Sequence, residues 1–273
     1  MEKIVFCDID GTIMPSNKVI SKRTINAINK LQQQGVVFVL CSGRSRPKVI
    51  EIAKRINSKP FVICSNGGDV YDFVQDIEVF KDPISLSTIK KVNNICKPYN
   101  CQIFYKCGKE NYINYDFECE TQAEIINDDK LKKVYKSGVA QINVMHNNRQ
   151  QLLEIIEKIK TIKDVEISNL SKNLINPEKF DISCDHTTLF IDINKKRCTK
   201  GLGIEKLAQY LNIPLSQTIS IGDSINDLSM FEKSQVDIAV ANSIEQLKQH
   251  ADILTKSNNN DGVAKFLEKH FNL

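Results

Sequence analysis

Lys3-Ile4-Val5-Phe6-Cys7-Asp8-Ile9-Asp10-Gly11-Thr12 decides how the rest of the chain is read. Val5, Phe6 and Cys7 predict the end of a buried strand, and two carboxylates come after it with one apolar residue between them. On extended backbone, positions i and i+2 point to the same side. Asp8 and Asp10 should therefore face one spot just past the strand. Like charges held that close repel, and a hard divalent cation such as Mg2+, which takes oxygen ligands, offsets them. Gly11 permits a sharp turn where a side chain would clash. The same residues also fit a strand ending in a polar turn with two solvated acids, so the stretch needs support from elsewhere.

That support comes from the rhythm of the chain after Thr12. Ser21 has the place of a helix N-cap. Ile25, Ile28 and Leu31 recur at helical spacing, and Gly35 stops the helix. The apolar run Val36 to Leu40 predicts a strand that ends at Cys41-Ser42-Gly43-Arg44. Pro47 with Val49, Ile50, Ala53 and Ile56 predicts a second helix, and Phe61 to Cys64 a third strand ending at Ser65-Asn66-Gly67-Gly68. Strand alternating with helix means a parallel sheet with helices on its faces. Val70-Tyr71 and Val79-Phe80 suggest a small hairpin. Near Asp82-Pro83 the pattern changes. Residues 83–193 mix helical stretches (85–97, 119–127, 150–160) with strand-like ones (101–106, 139–145, 164–168, 188–193), as in an α+β insert. The division expected is a core of residues 1–82 and 194–273 around an inserted domain of 83–193. From Lys200 the α/β rhythm resumes. A helix over Gly201 to Leu211 should show Leu202, Leu207, Tyr210 and Leu211 as its apolar face. Strands are expected at Thr218 to Ile221, Asp237 to Ala241 and Asp252 to Leu254. Helices are expected from Leu228, over 243–249 and from Val263 onward.

Composition narrows the function class. The 273 residues hold 37 Lys+Arg against 33 Asp+Glu, a balance of +4 that is too mild to argue for nucleic acid. No apolar run reaches the ~18 residues of a membrane span, and the first strand begins too early for a signal peptide. The nine cysteines are odd in number and show no C-x-x-C spacing. That usage fits a reducing, cytoplasmic setting without disulfides or zinc. Cys101, Cys107 and Cys119 read as core or surface thiols before a metal cluster, and Lys130-Leu131-Lys132-Lys133 as a solvated face.

Polar groups gather at three predicted strand ends: Asp8/Asp10, Ser42/Gly43 and Asp223/Asn226/Asp227. In an open α/β sheet, ligands bind beyond the carboxyl ends of the strands. A carboxylate there can act as a nucleophile that carries a phosphoryl group. A second can serve as general acid and then base, typically for ~10²–10⁴-fold in rate. A third completes an all-oxygen Mg2+ site. Ser42 offers a hydroxyl, Gly43 a backbone N–H at a helix start, and Lys200 an ammonium at another helix start. Each has a plainer reading as well: Ser42 as a helix cap, Lys200 as a surface lysine, Gly222-Asp223 as a turn, Arg44 and Arg46 as solvated helix residues. No histidine lies near these turns.

Jointly, Asp8-Ile9-Asp10-Gly11-Thr12, Cys41-Ser42-Gly43-Arg44, Lys200-Gly201 and Gly222-Asp223-Ser224-Ile225-Asn226-Asp227 resemble the haloacid dehalogenase superfamily, close to its Cof-type branch. Ser65-Asn66-Gly67-Gly68, Ala239-Val240-Ala241-Asn242 and Asn260-Asp261-Gly262-Val263 share the likeness, although that branch more often has Asn-Gly-Ala where this chain has Asn66-Gly67-Gly68. The resemblance implies a doubly wound, mostly parallel, Rossmann-like sheet with an inserted α+β cap that closes over the site and selects substrate. It implies a Mg2+-dependent phosphatase of small phosphorylated metabolites, sugar phosphates among them. Asp8 would be nucleophile and metal ligand. Asp10 would be general acid/base and bind the metal through its carbonyl. Asp223 would be the third ligand and Asp227 would orient the metal site or Lys200. Ser42, Gly43, Lys200 and Asn226 would hold the phosphate. A phosphosugar mutase or other phosphoryl transferase uses the same nucleophile, and a non-catalytic sensor of phosphorylated ligands is a third reading. In the cap no motif matches; Tyr105, Tyr112 and the stretch from Lys172 to Lys179 are loose candidates for a substrate face. Oligomeric state is left open.

Overall fold

The computed structural model describes residues 3–115, 122–171, 174 and 189–273. In chain order, β1 (Ile4–Cys7), α1 (Lys22–Gln33), β2 (Val37–Cys41), α2 (Arg46–Arg55), β3 (Phe61–Cys64), β4 (Asp69–Asp72) and β5 (Ile77–Lys81) form the first part. There follow α3 (Leu86–Cys96), β6 (Gln102–Cys107), β7 (Glu110–Ile113), β8 (Glu124–Ile125), α4 (Leu131–Lys136), β9 (Gln141–His146), α5 (Arg149–Lys160), β10 (Val165–Leu170) and β11 (Leu189–Lys195). The last part is α6 (Lys200–Tyr210), β12 (Thr218–Gly222), α7 (Leu228–Phe231), β13 (Val236–Val240), α8 (Glu245–His250), β14 (Ile253–Thr255) and α9 (Gly262–Phe271). The chain divides into two compact units, Met1–Phe80 with Thr199–Leu273, and Lys81–Cys198.

The first unit is an α/β layer structure. Its eight-stranded sheet runs β14-β13-β12-β1-β2-β3-β4-β5. β1 pairs in parallel with β2 on one side and β12 on the other. The strand order therefore reverses at β1, which is where an open sheet leaves a crevice at its carboxyl edge. Both faces are covered, so the strands are apolar throughout. Val5 and Cys7 pack with Ile28, Leu31, Val49, Ile52 and Leu267 of α1, α2 and α9. Ile4 and Phe6 pack on the opposite face with Ile204, Leu207 and Met230 of α6 and α7. Burying one such aliphatic or aromatic side chain contributes ~1.5–3 kcal/mol. Ser21 caps α1 by accepting from the Thr24 N–H, and Gly35 follows the helix at φ +83. β3 pairs antiparallel with β4, and β5 continues the sheet, as a hairpin at its edge.

Helix α6 differs from expectation. Its buried face is Lys200, Gly201, Gly203, Ile204, Leu207 and Ala208, whereas Tyr210 is exposed, its ring edge-on to Phe61 at 6.1 Å. Small residues on the inner face let the helix lie close to the sheet, which rotates Leu202 and Tyr210 outward.

The second unit is built on a six-stranded sheet, β10-β11-β9-β6-β7-β8, largely antiparallel. One face packs on α3, α4 and α5 through Ile89, Val92, Val134, Ile142, Val144, Leu152 and Ile155. Tyr105 and Tyr112 belong to this apolar core, fully buried, so they are not part of a substrate face. The period of two puts them on the same side as Ile142 and Val144. The other face is polar: Gln141 Nε2 donates to Asn194 Oδ1 at 2.8 Å, and Asn143 Nδ2 donates to Asp192 Oδ1 at 2.9 Å. The expected helix over 119–127 is replaced by the short strand β8, its first residues lying outside those described. The lysine run at 130–133 opens α4, which buries Leu131 and Val134 and leaves Lys132 and Lys133 exposed. Cys119 and, apart from Leu174, the stretch from Lys172 to Lys179 lie outside the described residues.

Candidate active site

The site is assembled by adjacent strand ends. Asp8 follows β1, and its N–H donates to the Ile221 carbonyl of β12 at 2.9 Å. Asp223 follows β12. Neighbouring parallel strands lie ~4.8 Å apart, which sets the two strand ends side by side. Asp8, Asp223 and Asp227 are buried, each with an oxygen within 4.8 Å of the others. Gly11 makes this possible. It has φ +85, and a Cβ there would strike the Asp223 carboxylate. Thr12 Oγ1 donates to Asp223 Oδ1 at 3.0 Å.

Lys200, the first residue of α6, lies 1% exposed between two of the acids. Its Nζ donates to Asp8 Oδ1 at 2.5 Å and to Asp227 Oδ1 at 2.6 Å. Burial alone would lower its pKa, but the charges of Asp227 and Asp8 outweigh this and hold it well above the ordinary lysine range. Asp227 Oδ2 accepts from the N–H groups of Asp223 and Ser224, both at 2.9 Å. It thus fixes the loop after β12 with one oxygen and Lys200 with the other. Burial pushes the Asp8 carboxyl well up, against the pull of Lys200, and the Asp227, Asp223 and Asp10 charges add to the push. Three buried carboxylates against one ammonium leave an excess of negative charge. The donor set, all oxygen, fits a hard divalent cation.

Asp10 is placed differently. Its side chain is 46% exposed and takes a bidentate pair from Arg44, Nε to Oδ2 at 2.7 Å and Nη2 to Oδ1 at 2.8 Å. Burial pushes the carboxyl up, but the hydrogen bond and charge of Arg44 prevail and hold it below the usual range. Arg44 is thus no solvated helix residue, and neither is Arg46. The Arg46 guanidinium is buried against Asp69 (2.5 Å) and Glu78 (2.9 Å) and lies 4.0 Å over the Tyr71 ring. Gly43 is also corrected. α2 begins at Arg46 with Ser45 at its N-cap, so the Gly43 N–H lies in the loop before the helix and not at its start. Ser42 caps no helix; its Oγ accepts from the Arg44 N–H at 3.2 Å. Asn226 Nδ2 donates to Asn66 Oδ1 at 3.1 Å.

Distant asparagines brace the loop after β1. Asn242 Nδ2 donates to the Gly11 carbonyl at 2.7 Å, and Asn258 Nδ2 to the Met14 carbonyl at 2.9 Å. The Ser16 N–H donates to Asn259 Oδ1 at 2.8 Å. Buried thiols lie beside the acids: burial drives Cys7 and Cys41 well up, which keeps them neutral. Among the described residues no other cluster of potential metal ligands occurs, and no helix is long and apolar enough to cross a membrane.

A sequence profile of the haloacid dehalogenase-like hydrolases matches residues 5–267. The chain belongs to this family. It is an enzyme of the phosphoric monoester hydrolase class. Phosphatase YwpJ of Bacillus subtilis is 26% identical over 97% of this chain and 99% of its own length. The 5-amino-6-(5-phospho-D-ribitylamino)uracil phosphatase YitU of the same organism is 24% identical over 99% of this chain and 98% of its own. A haloacid dehalogenase-like hydrolase from Bacteroides thetaiotaomicron superposes with a TM-score of 0.83 at 21% identity, covering 99% of this chain and 100% of that one. This likeness shows that the fold, core and cap together, is that of the haloacid dehalogenase-like hydrolases.

Proposed function

We propose that this hydrolase is a Mg2+-dependent phosphatase of small phosphorylated metabolites that works through a phosphoryl group carried on Asp8. The observation that carries this reading is the buried trio Asp8, Asp223 and Asp227 with Lys200 between two of its members. Asp8, Asp223 and the Asp10 carbonyl would hold Mg2+, which supplies positive charge to Asp8 and to the phosphoryl oxygens. Asp227 is the orienting residue, since both its oxygens are engaged. Ser42, Gly43, Lys200 and Asn226 would bind the phosphate.

An Asp8 oxygen attacks phosphorus, the bond to the substrate oxygen breaks, and that oxygen takes a proton from protonated Asp10. Water then gives a proton to Asp10 and attacks phosphorus, the Asp8–phosphorus bond breaks, and phosphate leaves. Arg44 holds Asp10 ionised in the free protein, so Asp10 takes up its first-step proton from the bound monoester or solvent. It releases the proton gained from water when phosphate leaves and the Arg44 pair re-forms.

The inserted unit is the substrate-selecting cap. Its polar sheet face suits a hydroxylated substrate, as does Asn111 on β7, buried with neither amide atom hydrogen-bonded. The substrate named for the relative YitU, a phosphorylated ribityl compound, supports the same class.

Phosphate release from a panel of phosphorylated metabolites, with and without Mg2+ and with Asp8→Asn as blank, tests this. Release that depends on Mg2+ and vanishes in the blank is expected. An Asp8→Asn protein that still turns over rapidly would defeat the assignment, and phosphoryl transfer to a sugar in preference to water would make the enzyme a mutase.

A further inference from the structure

Ser65, Asn66 and Gly67 form a run of three left-handed residues, at φ +52, +52 and +94. Asn and Gly adopt this conformation readily, but Ser does not, and a run of three persists only where the surroundings fix it. Three contacts do so here, and each reaches a different segment of the candidate site. The Ser65 N–H donates to the Arg44 carbonyl at 3.0 Å and the Asn66 N–H to the Ser42 carbonyl at 3.1 Å, which joins the turn to the loop after β2. Gly67 presses on the start of α6: a Cβ on Gly67 would strike the Thr199 carbonyl, and one on Gly203 would lie 3.0 Å from the Gly67 Cα. The Asn66 side chain, 1% exposed, accepts the amide of Asn226 at 3.1 Å. A Cβ on Gly43 would come within 2.9 Å of Asn66 Oδ1 and 3.1 Å of its Nδ2, so this residue must be glycine for the amide to fit.

We infer that Asn66 is a positioning residue for phosphate binding: its amide fixes Asn226 and the Gly43 backbone for an incoming phosphate, from a turn that also abuts the helix carrying Lys200. This rests on the phosphatase reading above. One N–H of the Asn226 amide is spent on Asn66, which directs the other. Without Asn66 the Asn226 side chain would rotate freely, and Gly43 would lose the wall that defines its loop. Misplacing a binding group by ~1 Å is enough to cost up to ~10²-fold in rate.

The test is steady-state hydrolysis of p-nitrophenyl phosphate, with inorganic phosphate as competitive inhibitor, for wild type, Asn66→Gly, Asn66→Asp, Asn226→Ala and the double variant Asn66→Gly/Asn226→Ala. Glycine keeps the left-handed backbone without strain, so Asn66→Gly should melt within a few degrees of wild type. It should nonetheless raise KM and the phosphate inhibition constant about tenfold or more, with kcat falling less. Asn66→Asp, nearly isosteric, keeps an oxygen that accepts from Asn226 but places a charge beside the phosphate. It should weaken phosphate by repulsion that high salt shrinks, while the effect of Asn66→Gly persists in salt. If the glycine variant folds poorly, Asn66→Ala, which removes the amide at some cost to the left-handed backbone, carries the same test. The double variant should lose less phosphate affinity than the two single losses combined, because part of what Asn66 does runs through Asn226. An active wild type with unchanged KM and inhibition constant in Asn66→Gly, or in Asn66→Ala in its place, would overturn the inference alone, as would simple additivity in the double variant. A wild type that hydrolyses no phosphate ester would overturn the phosphatase reading and this inference with it.

Discussion

Replacing Lys200 by methionine keeps most of the side-chain volume and removes only the ammonium. The structure sets the size of the effect. The ammonium is 1% exposed and makes two charge-assisted bonds, at 2.5 and 2.6 Å, to carboxylates that are themselves 7% and 0% exposed. Each such bond contributes ~1.5–3 kcal/mol, and breaking a buried ion pair by deleting one partner costs ~3–5 kcal/mol. Asp8 is already pushed up by burial, so it can take a proton once its partner is gone. That places the expected loss near the lower bound, at ~3 kcal/mol. With a urea slope of ~1–3 kcal/mol per molar, the unfolding midpoint of the α/β unit should fall by ~1–3 M. Mg2+ should restore more of this loss in the variant than it adds to wild type, because no ammonium would oppose the ion among the acids. Turnover should be almost abolished, and Lys200→Arg should recover little, since a planar fork replaces a point charge in a closed site. A midpoint within ~0.2 M of wild type at pH 7, with no response to Mg2+, would show that the trio carries no uncompensated charge, and the electrostatic reasoning would fail.

Asp237 on β13 gives a pH signature away from the site. Burial pushes its carboxyl up to about 7, against the hydrogen bond from Ser234 Oγ at 2.5 Å. The folded protein therefore holds a proton that the unfolded chain releases near pH 4, so stability should fall as pH rises from about 4 to 7, by up to ~4 kcal/mol. Asp237→Asn should abolish this slope and melt above wild type at pH 8; parallel pH profiles would refute it. Gly11→Ala should displace Asp223, with a stability loss of ~1–3 kcal/mol from the left-handed backbone. The Mg2+ concentration for half-maximal activity should rise well over tenfold, and an unchanged value would show that Asp223 does not set metal affinity.

The sequence makes the centre of the fold plain because β1 and β12 are short apolar runs that stop at paired polar groups. Strand adjacency then sets Asp8 beside the loop of Asp223 and Asp227, and the packing of α6 on the sheet brings in Lys200, 192 residues after Asp8. The hidden part depends on where a side chain turns once the backbone is set. Arg44 and Arg46 sit two residues apart near a helix start, yet one reaches Asp10 and the other a buried Asp69. A charged residue in a polar stretch gives no sign of which acid it will find. Tyr105 and Tyr112 resemble contact residues in the sequence because tyrosine suits both roles, and only the strand register assigns them to the core. Gly43 reads as a helix start because the three residues before Pro47 do not reveal that the loop continues to Ser45. Asn66 shows in the sequence only as part of the polar stretch that ends the third strand; its left-handed turn, and its hold on Asn226, require the fold.

The asparagines that brace the loop after β1 have a consequence for synthesis. Ser16 meets Asn259, 243 positions later. At ~5–20 residues per second, a ribosome needs ~10–50 s to make that length. The loop after β1 is thus among the last segments to be secured although it emerges early, and the nascent polypeptide carries Asp8 on an unfinished loop through all of that interval. Activity should switch on only once Asn259 has cleared the ribosome, and nonsense alleles that stop just before it should be as inert as those that lose half the gene.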